Sequence, residues 1–153
     1  MDLILWRHAE AEDSIPDMAR ALTPKGEEQA QAMAAWLHKR LPADARVVVS
    51  PARRTQQTAN ALAKLSKNKG EDFVTLAAVA PGASARDVMA AAGWPDAGGT
   101  VLVVGHQPTL GEVAGLLLAG KGLSFSTKKG AIWWLRQRDH ETILRAAISP
   151  DML

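Results

Sequence analysis

The chain has 153 residues, 47% of them apolar and 22% charged, the composition of one ordinary globular domain and not of a disordered tail or a rod. Lys and Arg number 18 against 16 Asp and Glu, a net charge of +2, which is too small an excess to argue for a nucleic-acid partner. With no cysteine, disulfides, thiolate metal sites and a cysteine nucleophile are excluded.

Leu3-Ile4-Leu5-Trp6 is a short apolar run that breaks abruptly into charge at Arg7, and it predicts a buried strand over residues 2–6. No basic stretch precedes it and no long apolar stretch follows, so it is not a signal peptide. No run approaches the ~18 apolar residues of a membrane span, and a cytoplasmic protein with no membrane contact is expected. Thr23-Pro24 opens a helix, with Thr23 as N-cap and Pro24 at the first helical position. Ala30, Met33, Ala34, Leu37 and Leu41 then share one helical face until Pro42 stops it. Val47-Val48-Val49 is a second strand, ending at Ser50-Pro51. A second helix over 52–66 carries Thr55, Ala59, Leu62 and Leu65 on one face, and residues 66–70 read as a loop.

Phe73 to Val79 predicts a short strand, and a helix over Ala85–Ala92 ends at Gly93. Val101-Leu102-Val103-Val104 is the third apolar run, ending at Gly105. The helix after it places Leu110, Val113, Ala114 and Leu117 together. Two strands close the chain, Ala131–Leu135 and Ile143–Ile148, with a hairpin turn over residues 137–140. Strands that are continuously apolar, alternating with helices, predict an α/β fold. The expectation is a single three-layer α/β/α domain over residues 1–153, its central sheet mostly parallel with an antiparallel edge strand.

In open α/β sheets, ligands bind beyond the carboxyl ends of the strands. The three clearest strands end in Arg7-His8, in Ser50-Pro51-Ala52-Arg53-Arg54 and in Gly105-His106. One edge therefore collects two histidines and at least two arginines from separate stretches of chain. Arginine presents a planar fork that fits a phosphate oxygen pair. Imidazole beside it can serve as nucleophile, acid or base. No H-x-x-x-H or H-E-x-x-H spacing suggests zinc, and no carboxylate cluster suggests Mg²⁺. Phosphoryl transfer through a phosphohistidine, with no metal and no cofactor, is the economical reading.

These segments resemble three motifs of one family. Arg7-His8-Ala9 resembles the Arg-His-Gly signature of the histidine phosphatase superfamily, whose fold is phosphoglycerate-mutase-like. Ser50 to Thr58, with Arg54 four residues after the serine, resembles its second motif. Gly105-His106-Gln107-Pro108 resembles the motif around its second catalytic histidine. Asp17, Arg20, Thr23 and Gly26, with the tail segment Phe125-Ser126-Thr127, look like the SixA-type phosphohistidine phosphatase branch.

The resemblance implies roles. His8 is the nucleophile, and its other ring nitrogen is expected to donate to a backbone carbonyl. Arg7, Arg20 and Arg54 clamp the phosphoryl oxygens. Arg7 and Arg54 carry over by motif, and Arg20 by the SixA-like segment, against the bland reading of a surface pair with Asp17. Arg53 is one residue off the motif and on a helix points about 100° away, so it is a solvated charge. His106 bonds the transferring oxygens opposite His8, against the bland reading of a helix cap. Ser50 and Thr55 hold loops, and Thr58 packs the second helix. His38, His140, Lys128 and Lys129 are surface residues, and the five tryptophans mostly pack the core and sheet edges.

The chain departs from the wider family in two places. Ala9 replaces glycine, a mild change. The stretch Thr75–Gly82, where many members carry an acidic proton donor, holds no Asp or Glu. Glu10 is the expected stand-in, and Glu12 a solvated charge. An alkoxide leaving group needs a proton, whereas an imidazole is displaced more easily, so the missing acid favours phosphoramidate substrates. The leading expectation is therefore hydrolysis of phosphohistidine on a partner protein such as a histidine-phosphotransfer domain, by a monomer. The alternatives are a small-molecule phosphomonoesterase of the same family and a non-catalytic phospho-ligand binding module. A mutase is disfavoured by the missing acid.

Overall fold

Leu3, Ile4, Leu5 and Trp6 are all buried because their strand, β1 (Asp2–Arg7), lies in mid-sheet with helices on both faces. The computed structural model describes residues 1–66 and 73–153. β1 pairs in parallel with β4 (Thr100–Gly105), β4 with β2 (Arg46–Val49), and β2 with β3 (Phe73–Thr75). On its other side β1 pairs antiparallel with β5 (Ile132–Arg138), which pairs antiparallel with β6 (Glu141–Ile148). The spatial order is β3-β2-β4-β1-β5-β6. The sheet thus closes with an antiparallel edge pair, in which β5 is the reversed strand and β6 at the edge points the same way as β1.

Alternate residues of the central strands feed two cores. Leu3, Leu5, Val48, Val101 and Val103 pack against Val88, Ala92, Leu110 and Val113, which lie on α3 (Ala85–Ala92) and α4 (Thr109–Ala119). Ile4, Trp6, Val49, Leu102 and Val104 pack against Met33, Leu37, Ala59 and Leu62 of α1 (Pro24–His38) and α2 (Arg53–Ala63). Burying one such side chain is worth roughly 1.5–3 kcal/mol. Two covered faces explain why these strands read as unbroken apolar runs rather than as alternating ones.

Local signals place the ends. The Thr23 hydroxyl accepts from the Gly26 backbone N–H at 2.9 Å, as an N-cap should. α1 stops at His38, short of Leu41, because Pro42 disfavours helical geometry in the residues before it. α2 starts at Arg53, since Ala52 is extended, and ends at Ala63. The segment expected as one strand over Phe73–Val79 divides into β3 and a 3₁₀ turn over Ala77–Val79. Asp139 and His140 both have positive φ, the two-residue hairpin turn whose twist suits its strands. The loop expected over 66–70 lies outside the described residues except for Ser66. Among the described residues no helix is long and apolar enough to cross a membrane.

Between α4 and β5 the chain doubles back over α4. The Phe125 N–H donates to the Gly111 carbonyl at 3.1 Å. A Cβ at Gly111 would run into the Phe125 carbonyl, and one at Gly115 into the Leu123 carbonyl. Both glycines are therefore set by close approach of another backbone. Gly115→Ala tests this. In an ordinary helix interior alanine is favoured over glycine by about 1 kcal/mol. Here the methyl meets backbone, and overpacking costs about 1–3 kcal/mol. The variant is expected to melt lower than the parent, and an unchanged or raised Tm would show that this strap does not lie against α4.

Candidate active site

Parallel pairing of β1 with β4 puts Arg7 level with Gly105, so the next residues, His8 and His106, emerge side by side. Their ring centroids are 5.3 Å apart at 54°. β2 lies on the far side of β4, with Val49 level with Val104. Ser50 follows, its N–H on the Val104 carbonyl at 3.1 Å, and α2 then opens with Arg53 and Arg54. Four groups from three strand ends thus meet at one point. His8, His106 and Arg54 are 7%, 5% and 4% exposed.

Hydrogen bonds fix both imidazole tautomers. His8 Nδ1 lies 2.7 Å from the Ala9 carbonyl oxygen. A carbonyl only accepts, so Nδ1 carries the proton and Nε2 keeps its lone pair. The backbone is pinned too, with the His8 N–H on Gly105 O at 3.1 Å and its carbonyl accepting from Gly130 N at 3.0 Å. His106 Nδ1 lies 3.4 Å from Arg54 Nη2, which can only donate. The His106 proton is therefore on Nε2, 2.7 Å from Ser50 Oγ. Burial, and then the charges of Arg54, Arg7 and Arg20, push the His8 pKa down to about 4 against its bond to Ala9. Burial, followed by His8 and the charges of Arg54 and Arg7, takes His106 to about 3. Both rings are neutral at pH 7.

The arginines are held by backbone and one acid. Arg7 Nη1 donates to the Thr127 carbonyl at 2.6 Å. Arg54 donates from Nη1 to the Asp17 carbonyl at 2.8 Å and from Nη2 to the Asp17 carboxylate at 3.2 Å. Arg20 reaches the same carboxylate at 3.3 Å and the Glu12 carbonyl at 2.7 Å. The Nε atoms of Arg7 and Arg54 are buried with no partner among the described residues. Two guanidinium nitrogens thus remain unsatisfied beside the free lone pair of His8 Nε2. A tetrahedral oxyanion with several acceptor oxygens matches that set.

The structure brings together Arg7, His8, Arg54 and His106, with Arg20 beside them through Asp17. The pair Arg20–Asp17 exists, and it joins Arg20 to Arg54 because the same carboxylate serves both. Glu10 uses its backbone to hold the start of α1, its carbonyl accepting from Thr23 N at 3.0 Å. No hydrogen bond or ion pair joins its side chain to the described cluster. Arg53, His38, His140, Lys128 and Lys129 are exposed. Thr58 does more than pack: its hydroxyl accepts from Ala9 N at 3.1 Å and donates to the Arg54 carbonyl at 2.7 Å, tying the two motifs together. Ser50, read as a loop holder, orients His106. Asp17 was legible only as a neighbour of Arg20 three positions on. A cavity of about 620 Å³ lies elsewhere, between the β2–β3 side and the ends of α1 and α2.

Residues 3–77 match the family model described as histidine phosphatase superfamily (branch 1). No curated protein matches the chain by sequence. Among solved structures, the protein histidine phosphatase SixA complexed with tungstate is 25% identical, with a TM-score of 0.83 and 99% of each chain covered. A SixA-named protein of Nakamurella multipartitia is 28% identical, with a TM-score of 0.73, over 97% of this chain and 95% of its own. The alpha-ribazole phosphatase of Shigella flexneri shares the fold at 20% identity and a TM-score of 0.69, over 98% of this chain and 97% of its own. Three ordered motifs whose side chains gather at one sheet edge agree with these likenesses: about half of the chain carries the pattern of the histidine phosphatase superfamily, the whole chain has the fold of the SixA phosphatases, and the protein is a phosphatase.

Proposed function

We propose that this protein hydrolyses phosphohistidine on a partner protein, carrying the phosphoryl group transiently on His8 and using no metal. The observation that carries the reading is the His8 ring, neutral, with Nδ1 on the Ala9 carbonyl and Nε2 left as a lone pair beside buried guanidinium groups. The Nε2 lone pair attacks phosphorus, the bond from phosphorus to a substrate imidazole protonated on its other nitrogen breaks, and the electron pair returns to that ring, which leaves neutral. Arg7, Arg54 and Arg20 balance the charge on the equatorial oxygens. Water then attacks phosphorus, the bond to Nε2 breaks, and its electron pair returns to His8. The water protons leave on the phosphate, which gives one up to bulk water, while His106, with Nε2 on Ser50 and Nδ1 accepting from Arg54, orients that arginine. Inorganic phosphate and two neutral histidines result.

The leaving group decides between substrate classes. Expelling an alkoxide calls for a proton donor. Thr75–Gly82 contains no acid. Asp17 is the carboxylate that touches the described cluster. Burial would raise its pKa, but the bonds and charges of Arg20 and Arg54 outweigh that and lower it, so Asp17 is ionised and has no proton to give. A phosphohistidine protonated on its second ring nitrogen needs none, because its imidazole then leaves as a stable neutral ring. The similarity to the protein histidine phosphatase SixA supports the same choice, and the tungstate held by that protein, a tetrahedral oxyanion, supports phosphoryl binding in general. A histidine-phosphotransfer domain met by a monomer in the cytoplasm is the setting that fits this chemistry.

Replacing His8 with alanine is expected to lower turnover by at least about 10²–10⁴-fold, and wild-type hydrolysis in that variant would remove the nucleophile. Measured side by side, kcat/KM on a phosphohistidine protein should exceed that on alkyl phosphates such as phosphoserine or sugar phosphates. Preference for an alkyl ester would replace the proposal with phosphomonoesterase activity. The pH dependence follows from the lowered histidine pKa values. Below pH ~6.5 the unfolded chain takes up protons on these rings, while the folded protein resists until about pH 4 for His8 and about 3 for His106. Stability supplied by the neutral rings is therefore complete above pH ~6.5 and lost as pH falls toward 4. The urea midpoint should drop over that window, and less steeply in His8→Asn. An equal slope in both proteins would mean that His8 is not held neutral.

A further inference from the structure

The strap from Leu123 to Gly130 includes Phe125-Ser126-Thr127, a segment that the chemistry above leaves without a role. We infer that Gln107 is a positioning residue that acts through Thr127 to aim Arg7 at the phosphoryl group. The inference rests on the reading of Arg7 as a phosphate clamp. Arg7 Nη1 donates to the Thr127 carbonyl at 2.6 Å, and that bond orients the guanidinium, whose buried Nε has no partner among the described residues. The Thr127 carbonyl can only be as well placed as its own backbone. Its side chain is buried, and its hydroxyl donates to Gln107 Oε1 at 2.8 Å.

The Gln107 amide holds three pieces of backbone and side chain at once. Oε1 also accepts from the Gly111 N–H at 3.1 Å, in the first turn of α4. Nε2 donates to the Phe125 carbonyl at 2.7 Å. The amide therefore clips the strap at residues 125 and 127 to the start of α4. The absence of a side chain at Gly111 lets the strap come that close. Gln107 follows His106 directly, so one residue sets the register between the loop that carries the second imidazole and the carbonyl that holds the guanidinium across the recess. The strap reaches the nucleophile as well, since Gly130 N donates to the His8 carbonyl at 3.0 Å. Gln107 itself has no bond to Arg7, His8 or His106 among the described contacts, so it acts through the strap and not on the reacting atoms.

The test is a double-mutant cycle with p-nitrophenyl phosphate, whose leaving group needs no acid. Gln107→Ala is expected to lower kcat/KM by about 10–100-fold, the usual cost of a small misplacement, with KM rising and the far-ultraviolet circular dichroism unchanged. In an Arg7→Ala background the same substitution should change kcat/KM by less than about twofold, because the group it aims is gone. Thr127→Val keeps the shape and removes the hydroxyl that Gln107 holds. It should show the same dependence on Arg7, and it carries the test if Gln107→Ala does not fold. Equal fold losses with and without Arg7, or wild-type kinetics in Gln107→Ala, would overturn the inference and leave the clamp intact. An Arg7→Ala protein as active as wild type would remove the clamp itself, and this inference with it.

Discussion

Guanidinium groups gathered in a recess repel one another, and they do so more strongly as water is excluded. At a given separation the repulsion grows several-fold between bulk water and a protein interior. Arg54 is almost wholly buried, and Arg7 is partly so. The rest of the site follows from that constraint. Two imidazoles in the same recess cannot add further positive charge, and both are held neutral. One carboxylate, Asp17, spans Arg20 and Arg54 and offsets part of the charge, while two guanidinium nitrogens keep no partner among the described residues. A phosphoryl group brings the negative charge and the acceptor oxygens that this arrangement lacks. In the proposed reaction, binding and the activation of His8 are one electrostatic problem, because the field that would attract the anion also keeps the ring neutral.

The sheet makes such a recess tolerable. Two apolar cores hold β1 and β4 from both faces, and their parallel register places the histidines without help from mobile loops. Around this rigid floor the supporting contacts are mostly backbone atoms: the Ala9, Thr127, Asp17 and Glu12 carbonyls. Carbonyl oxygens orient cationic or N–H-bearing side chains without adding a titratable group. The arrangement therefore keeps its geometry across a wide pH range until the imidazoles themselves protonate.

Much of this was legible in the chain. The apolar runs at residues 3–6, 47–49 and 101–104 marked central strands, since only strands covered on both faces lack polar alternation. Arg54 could be separated from Arg53 by helical angle alone, and the structure has the first buried and the second exposed. Helix ends were less legible. α1 unwinds before Leu41 although the apolar face continues, and Phe73–Val79 turns into a 3₁₀ segment after three residues of strand. Periodicity reports which face is buried. It does not report where backbone hydrogen bonding gives way.

Composition, periodicity and three short motifs by themselves determined the fold class and that His8, His106, Arg7 and Arg54 meet at one edge of the sheet. Only the tertiary structure decided the partners: Ser50 on His106, Asp17 between two arginines, Thr58 joining the first motif to the second, and Gln107 clipping the strap that holds Arg7. Motif residues announce themselves because they sit beside strand ends in sequence. Their partners lie tens of residues away, on segments whose composition is ordinary, and a hydrogen bond between two such segments leaves no periodic trace in either one.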